Sequence, residues 1–410
     1  MRNKNGFLAA AGVLILLATA AVMKPSARTA GASAAGRIPV TVRVFSDGLF
    51  VGDLTLKDLE LSDGGMPVEP EALFLVRKDR IERQEGAADI HPDLSRKITL
   101  LFQLTDYHSK IPEALAYLFK EELLPGDSLE IQTPVRNYRL SPKSLASKPG
   151  NVLARELTDI VRKDIVQGGM AYNSVMRDLK RIVRQISGLG RAGLGDTEGE
   201  IEDGSSLEHL LMDYADNLQK MEAMRAMNEG NLIEFAGALK KHPGRKFLFF
   251  FYQREFRPEL NSNTLDLLVM DNSDRLNVQS DLQTLFQMYS RSITMNHARL
   301  KEAFADSMVE FSFLFLNKPP ERISGITMRE QSEDVFKALS MIAQVTGGIT
   351  DTSQNPAASI KTAMKESESY YLLYFTPTAA APPGKFIDIK VKVKNRDCRV
   401  IHRAGYLSRS

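Results

Sequence analysis

Tryptophan is absent from this 410-residue chain, cysteine occurs once, at Cys398, and histidine six times. A lone cysteine excludes an intrachain disulfide, so the fold must be held by its hydrophobic core. His91, His108, His209, His242, His297 and His402 show no HxxxH or HExxH spacing, which leaves a zinc site without sequence support. No Gly-x-Ser-x-Gly elbow and no Walker loop occurs, so the usual strand-end nucleophile and phosphate cradle are both missing. Charge of one sign is lacking too: 53 Lys and Arg against 51 Asp and Glu give a net charge of +2, and nothing asks for nucleic acid. Repeats are absent, and the only biased tract is the Ala-Pro patch at residues 379–383, which reads as a surface loop.

What is present is ordinary globular material, 43% hydrophobic and 25% charged, enough for one sizeable domain and a smaller one. Arg2 and Lys4 precede an apolar run over residues 7–23, and small residues follow at Ala32-Ser33-Ala34, the layout of a secretory signal. Export is expected, with an uncleaved membrane anchor through residues 7–23 as the alternative. Residues 1–37 thus read as signal or anchor plus linker.

Val40, Val42 and Val44 alternate with Thr41 and Arg43, the pattern of a half-buried strand, and Asp47-Gly48 marks a turn. Residues 98–104, 246–252 and 309–316 are apolar runs suited to strands buried on both faces. Pro112 opens a helix after the first of these, and a further strand at residues 128–132 completes a βαβ unit. Residues 145–243 read as a helical insertion. Within it Val175, Leu179, Ile182, Val183 and Ile186 form an apolar stripe, and Arg177, Lys180, Arg181 and Arg184 a basic face. Gly188, Gly190 and Gly193 match GxGxxG, but a helix precedes them and an acidic stretch follows, the wrong context for a dinucleotide site; the glycines of residues 188–204 read instead as a break in the helices. After the run at residues 246–252 a polar connection is read, leading to a helix carrying Leu282, Leu285, Phe286 and Tyr289. Cys398, beside Val400 and Ile401, reads as a strand residue rather than a reactive thiol.

The C-terminal order is distinctive. A helix ends at Gly347-Gly348, another precedes Ser369-Tyr370-Tyr371, Ile387, Ile389, Val391 and Val393 alternate, and Arg403-Ala404-Gly405-Tyr406 closes the chain. Near the start, Leu54, Thr55, Asp58, Leu59, Leu61, Asp63 and Gly64 form a second pattern. Together these resemble the signature of bacterial von Willebrand factor A-related (VWFA-related) domain proteins. The resemblance implies an α/β architecture: a Rossmann-like, doubly wound von Willebrand A-type domain over residues 91–368, with a small β-module formed by the N- and C-terminal segments. Residues 38–90 and 369–410 are expected to pair, because neither carries enough strands to bury a face alone.

Such domains bind a divalent cation through a first loop reading Asp-x-Ser-x-Ser, whose oxygens suit a hard ion. Here the loop is Asp106-Tyr107-His108-Ser109-Lys110, with histidine and lysine at the serine positions, and the later loop offers Glu255 where the family has Asp-Gly. Thr158 and Thr197 are the candidates for the second-loop threonine. No metal and no cofactor are expected. The reading is an exported, non-catalytic protein-binding or adhesion protein whose binding rim contains Asp106, His108, Ser109 and Glu255. The alternatives are a scaffold subunit of an envelope complex, contacting its partner through residues 177–184, and, less favoured, a hydrolase built on Asp106, His108 and Ser109.

Overall fold

The computed structural model describes residues 36–192, 206–291, 295–378 and 381–408. The proposed signal or anchor, Gly193 and Thr197 lie outside them. Among the described residues no helix is long and apolar enough to cross a membrane.

A mixed six-stranded sheet organises the middle of the chain, in the order Thr350–Asp351, Val309–Leu316, Arg245–Gln253, Arg96–Gln103, Ser128–Gln132, Asn137–Leu140. The first five run parallel and the last is an antiparallel edge. Arg245–Gln253 is buried at all nine positions, as its apolar run requires of a strand covered on both faces. Phe247, Phe249 and Phe251 face the helices Ile111–Tyr117 and Pro356–Glu366 and the first part of Gly150–Ala192. Leu248, Phe250 and Tyr252 face Glu229–Lys240, His297–Asp306 and Glu333–Thr346. Several of these helices begin with an asparagine that caps a free amide: Asn228, Asn296 and Asn355 accept from Asn231, Arg299 and Ala358. Winding starts at Arg96–Gln103, moves one way to Ser128–Gln132, and then continues from Arg245–Gln253 in the opposite direction. The reversal lies between the two central strands.

Gly150–Ala192 is 43 residues long, about 64 Å at 1.5 Å per residue. Its first half packs Leu153, Leu157, Val161 and Ile165 on the sheet. Its second half places Leu179, Ile182, Val183 and Ile186 in a separate core with the helices Leu207–Arg225, Ser262–Asp271 and Leu276–Phe286. The expected break at Gly188 does not occur there, since the helix runs through Gly188 and Gly190 to Ala192. Each glycine costs about 1 kcal/mol relative to alanine in a helix, and burial of the neighbouring Ile182, Val183 and Ile186 outweighs it. Residues 253–275 are also not a plain polar connection. They hold the strand Phe256–Leu260, paired with Ile326–Glu330, and the helix Ser262–Asp271.

At the amino ends of the parallel strands lies a two-layer β-sandwich. One sheet runs Arg399–His402, Ile38–Ser46, Ser369–Phe375, Ala72–Arg77, Arg80–Gly86, and the other Gly405–Leu407, Phe386–Val393, Leu59–Asp63, Met66–Val68. Val40 stands opposite Leu373 and Ile38 opposite Phe375. Val40, Val42 and Val44 meet Leu61, Ile389 and Val391 between the layers. Cys398, half-buried, packs on this core just before Arg399–His402. A buried ionic cluster ties the sandwich to the parallel strands. Arg43 donates to Ser367 Oγ at 2.9 Å and to the Gly347 carbonyl, Arg245 pairs with Glu310, and the Arg245 guanidinium lies 3.9 Å from the centre of the Tyr370 ring. Gly347 ends its helix at φ +77°, a conformation that side chains resist.

Candidate functional site

Open α/β sheets offer a crevice beyond the carboxyl ends of their strands, at the point where winding reverses. Here that point follows Gln103 and Gln253. Gln253 Oε1 accepts from Thr105 Oγ1 at 3.1 Å and from the Asp106 amide at 3.0 Å, which locks the first loop to the neighbouring strand. The long helix crosses directly above. Gly169 lies so close to the Thr105 carbonyl that any Cβ would overlap it, so glycine is what lets the helix pass. One turn on, Asn173 Nδ2 donates to Thr105 O and Asp106 Oδ1, each at 3.1 Å. Lys318, just after Val309–Leu316, pairs with Asp106 Oδ2. Both oxygens of Asp106 are thereby engaged.

Between helix and loop is a cavity of about 540 Å³. Its charged lining comprises Asp106, Arg177, Lys180, Arg254, Lys318 and Glu321. Lys180 pairs with Glu321 at 2.7 Å, so both carboxylates of the lining are matched. Arg254 lies 3.1 Å from Glu330, outside the cavity, with its guanidinium 5.6 Å from the Phe315 ring centre. Apolar walls come from Tyr107, Met176, Phe256 and Met328, and Val166 and Met170, 53% and 65% exposed, form the lip on the helix. Burial holds the Tyr107 phenol above its ordinary pKa, and Arg162 stacks 5.6 Å from its ring centre.

The four residues expected at the rim are dispersed. Asp106 lines the cavity, whereas His108 and Ser109 do not. The His108 ring accepts from the Lys110 amide at 3.3 Å, and burial, then the Lys110 charge, hold its pKa below the usual value. No hydrogen bond joins the side chains of Asp106, His108 and Ser109. Glu255 is not at the surface at all: at 5% exposure it accepts from Arg225 at 2.5 Å, from Arg291 at 2.6 Å and from the Tyr252 hydroxyl. Burial pulls the Arg225 and Arg291 pKa values down, but the Glu255 charge outweighs it and both end above normal. Glu255 therefore locks Leu207–Arg225 and the Arg291 loop together and is not available as a ligand. The chain turns straight into Phe256–Leu260 after it, which carries it inward.

The residues around Asp106 do not suit a divalent cation. Lys318 places an ammonium where the ion would sit, Thr158 on the long helix donates to the Ala154 carbonyl at 2.7 Å, and among the described residues no three His, Cys, Asp or Glu side chains converge on one point. Arg254, Lys318, Asn173 and Gln253 are site residues that the sequence reading did not single out. The one available signal was the Gly168-Gly169 pair inside a helical stretch, since a glycine there usually marks a close approach. Of the basic face, Arg177 and Lys180 turn into the crevice, while Arg181 sits 3.7 Å from Asp178 on the same helix.

No protein-family model matches this chain, and no curated protein matches it. Among solved structures, it overlaps an aerotolerance-related membrane protein from Bacteroides fragilis NCTC 9343 with a TM-score of 0.24 and 9% identity, over 67% of this chain and 98% of that one. It overlaps the human COPII-coat protein Sec24c with a TM-score of 0.30 and 8% identity, over 82% of this chain and 46% of that one. Overlaps of this size do not establish a common fold.

Proposed function

We propose that this is an exported, non-catalytic protein-interaction module of the VWFA-related kind, on a Rossmann-like, doubly wound domain, that meets its partner at the strand-end crevice. The observation that carries this reading is the lip itself: Val166 and Met170 are more than half exposed at the mouth of a crevice at the winding reversal. Large apolar side chains left open beside a concave site mark contact surfaces. The separation of His108 and Ser109 from the cavity favours binding over hydrolysis. A scaffold role through the outer helix face is the second reading, favoured by Arg181 and Arg184, which are exposed on the long helix.

Capture from an envelope extract separates the two. Val166→Asp with Met170→Asp should abolish recovery of the partner, and Arg181→Glu with Arg184→Glu should leave it intact. The reverse pattern would assign the contact to the helix face.

The interaction is further proposed to be metal-free. A cation bound only to the folded state adds RT ln(1 + [L]/Kd), about 2.7 kcal/mol at a hundredfold excess over Kd. Millimolar magnesium or manganese is expected to leave the melting curve where it is, in wild type and in Asp106→Ala alike. A saturable upward shift that depends on Asp106 would overturn this.

A further inference from the structure

We propose that the strand-end crevice is a binding site for a small amphiphilic anion, a molecule with one oxyanion head, carboxylate or phosphate, and a compact apolar body. This goes beyond the protein-interaction reading, and the two can fail separately.

Three features of the cavity point to that class. The first is size: about 540 Å³ lies in the usual range of small-molecule sites, roughly 300–1,000 Å³. The second is charge. Four cationic side chains line the space against two carboxylates. Lys318 neutralises Asp106 and Lys180 neutralises Glu321. Arg254 is matched by Glu330 outside the cavity, so among the described residues Arg177 alone of the four remains without a carboxylate partner. Glu330 stands 3.1 Å from Arg254 Nε, yet that N–H makes no hydrogen bond among the described residues. The Tyr107 hydroxyl is likewise buried without a partner. A lining with four cationic side chains against two carboxylates is better suited to an oxyanion than to a neutral guest. Guanidinium groups present planar forks that fit carboxylate and phosphate.

The third feature is the apolar part of the wall. Met176, Phe256 and Met328 line it, and Met170 and Val166 continue it to the lip. Thioether side chains adapt to a guest of irregular shape. A bare inorganic anion would leave this surface wet, and an uncharged alkane would leave the Arg177 guanidinium unanswered. An amphiphile satisfies both.

Calorimetric titration of the purified full chain tests the assignment with five probes: decanoate, decyl phosphate, 1-decanol, acetate and inorganic phosphate. Saturable one-to-one binding of decanoate or decyl phosphate is expected, at least tenfold tighter than any of the other three. Whichever of the two binds better identifies the head group. Arg254→Met and Arg177→Glu should each weaken that binding at least tenfold. Arg177 is exposed, so its variant keeps the fold, and the melting midpoint of each variant without ligand checks this. Four outcomes overturn the proposal: no saturable binding of either amphiphilic anion, decanol binding as well as decanoate, acetate or phosphate binding as well as the amphiphiles, or affinity unchanged in both arginine variants with their fold intact.

Discussion

Removal of residues 369–410 is expected to strip hydrogen-exchange protection from residues 38–46 and 72–77. Ser369–Phe375 is the strand between those two, so its loss leaves each with an open edge. The deletion also removes Tyr371, Leu373, Phe375, Ile387, Ile389, Val391 and Tyr406 from one core. At about 1.5–3 kcal/mol for each buried side chain, the loss is roughly 10–20 kcal/mol as an upper bound. That equals or exceeds the whole stability of a typical domain, about 5–15 kcal/mol. Unchanged protection at Val40, Val42 and Val44 would show that the N-terminal strands stand without the C-terminal ones.

Glu255→Leu should cost about 3–5 kcal/mol, the usual penalty for stripping one partner from a buried ion cluster. Arg225 and Arg291, both nearly enclosed, converge on this carboxylate. Arg291 retains Asp334, at 2.9 Å, and the Gln331 carbonyl at 2.7 Å. Arg225 retains a 3.5 Å approach to the Gln103 carbonyl and its contacts over the Tyr252 and Tyr172 rings at 4.6 and 5.9 Å, but no carboxylate. Most of the penalty therefore falls on Arg225, and adding Arg225→Met to Glu255→Leu should recover a large part of it. Urea unfolding of the two variants decides the matter. A single variant within about 0.5 kcal/mol of wild type, the range of ordinary surface changes, would mean that Glu255 is not the tie described above.

The same residue shows where the sequence could be read and where it could not. Strands buried on both faces announce themselves through unbroken apolar runs, and residues 246–252 and 309–316 lie within or coincide with Arg245–Gln253 and Val309–Leu316. Alternation likewise marks Ile38–Ser46, with Val40, Val42 and Val44 in the sandwich core. Phe256–Leu260 hides because its buried positions include Arg257 and Glu259, which pair with each other inside the fold. Charged residues in a short segment look like a solvent-facing connection until their partners are known. Glu255 was misplaced for the same reason: a carboxylate after a strand is as consistent with a rim ligand as with a buried tie. At the crevice, Asp106 was legible from its loop, but Arg254 and Lys318 follow two different strands. Their convergence is a property of the sheet order, which local patterns do not encode.

The pairing of Ile38–Ser46 with Ser369–Phe375 also sets a timetable for the chain. The first strand is made 323 residues before its partner begins, 369 less 46. At roughly 5–20 residues per second, that interval is about 16–65 s. Throughout it the segment has a free edge, the kind of surface that seeks any other strand. Local helices can form as they emerge, but the sandwich closes only when the last tenth of the chain arrives. An interrupted copy would keep its edge open, which gives proteases a physical means of telling an unfinished molecule from a complete one.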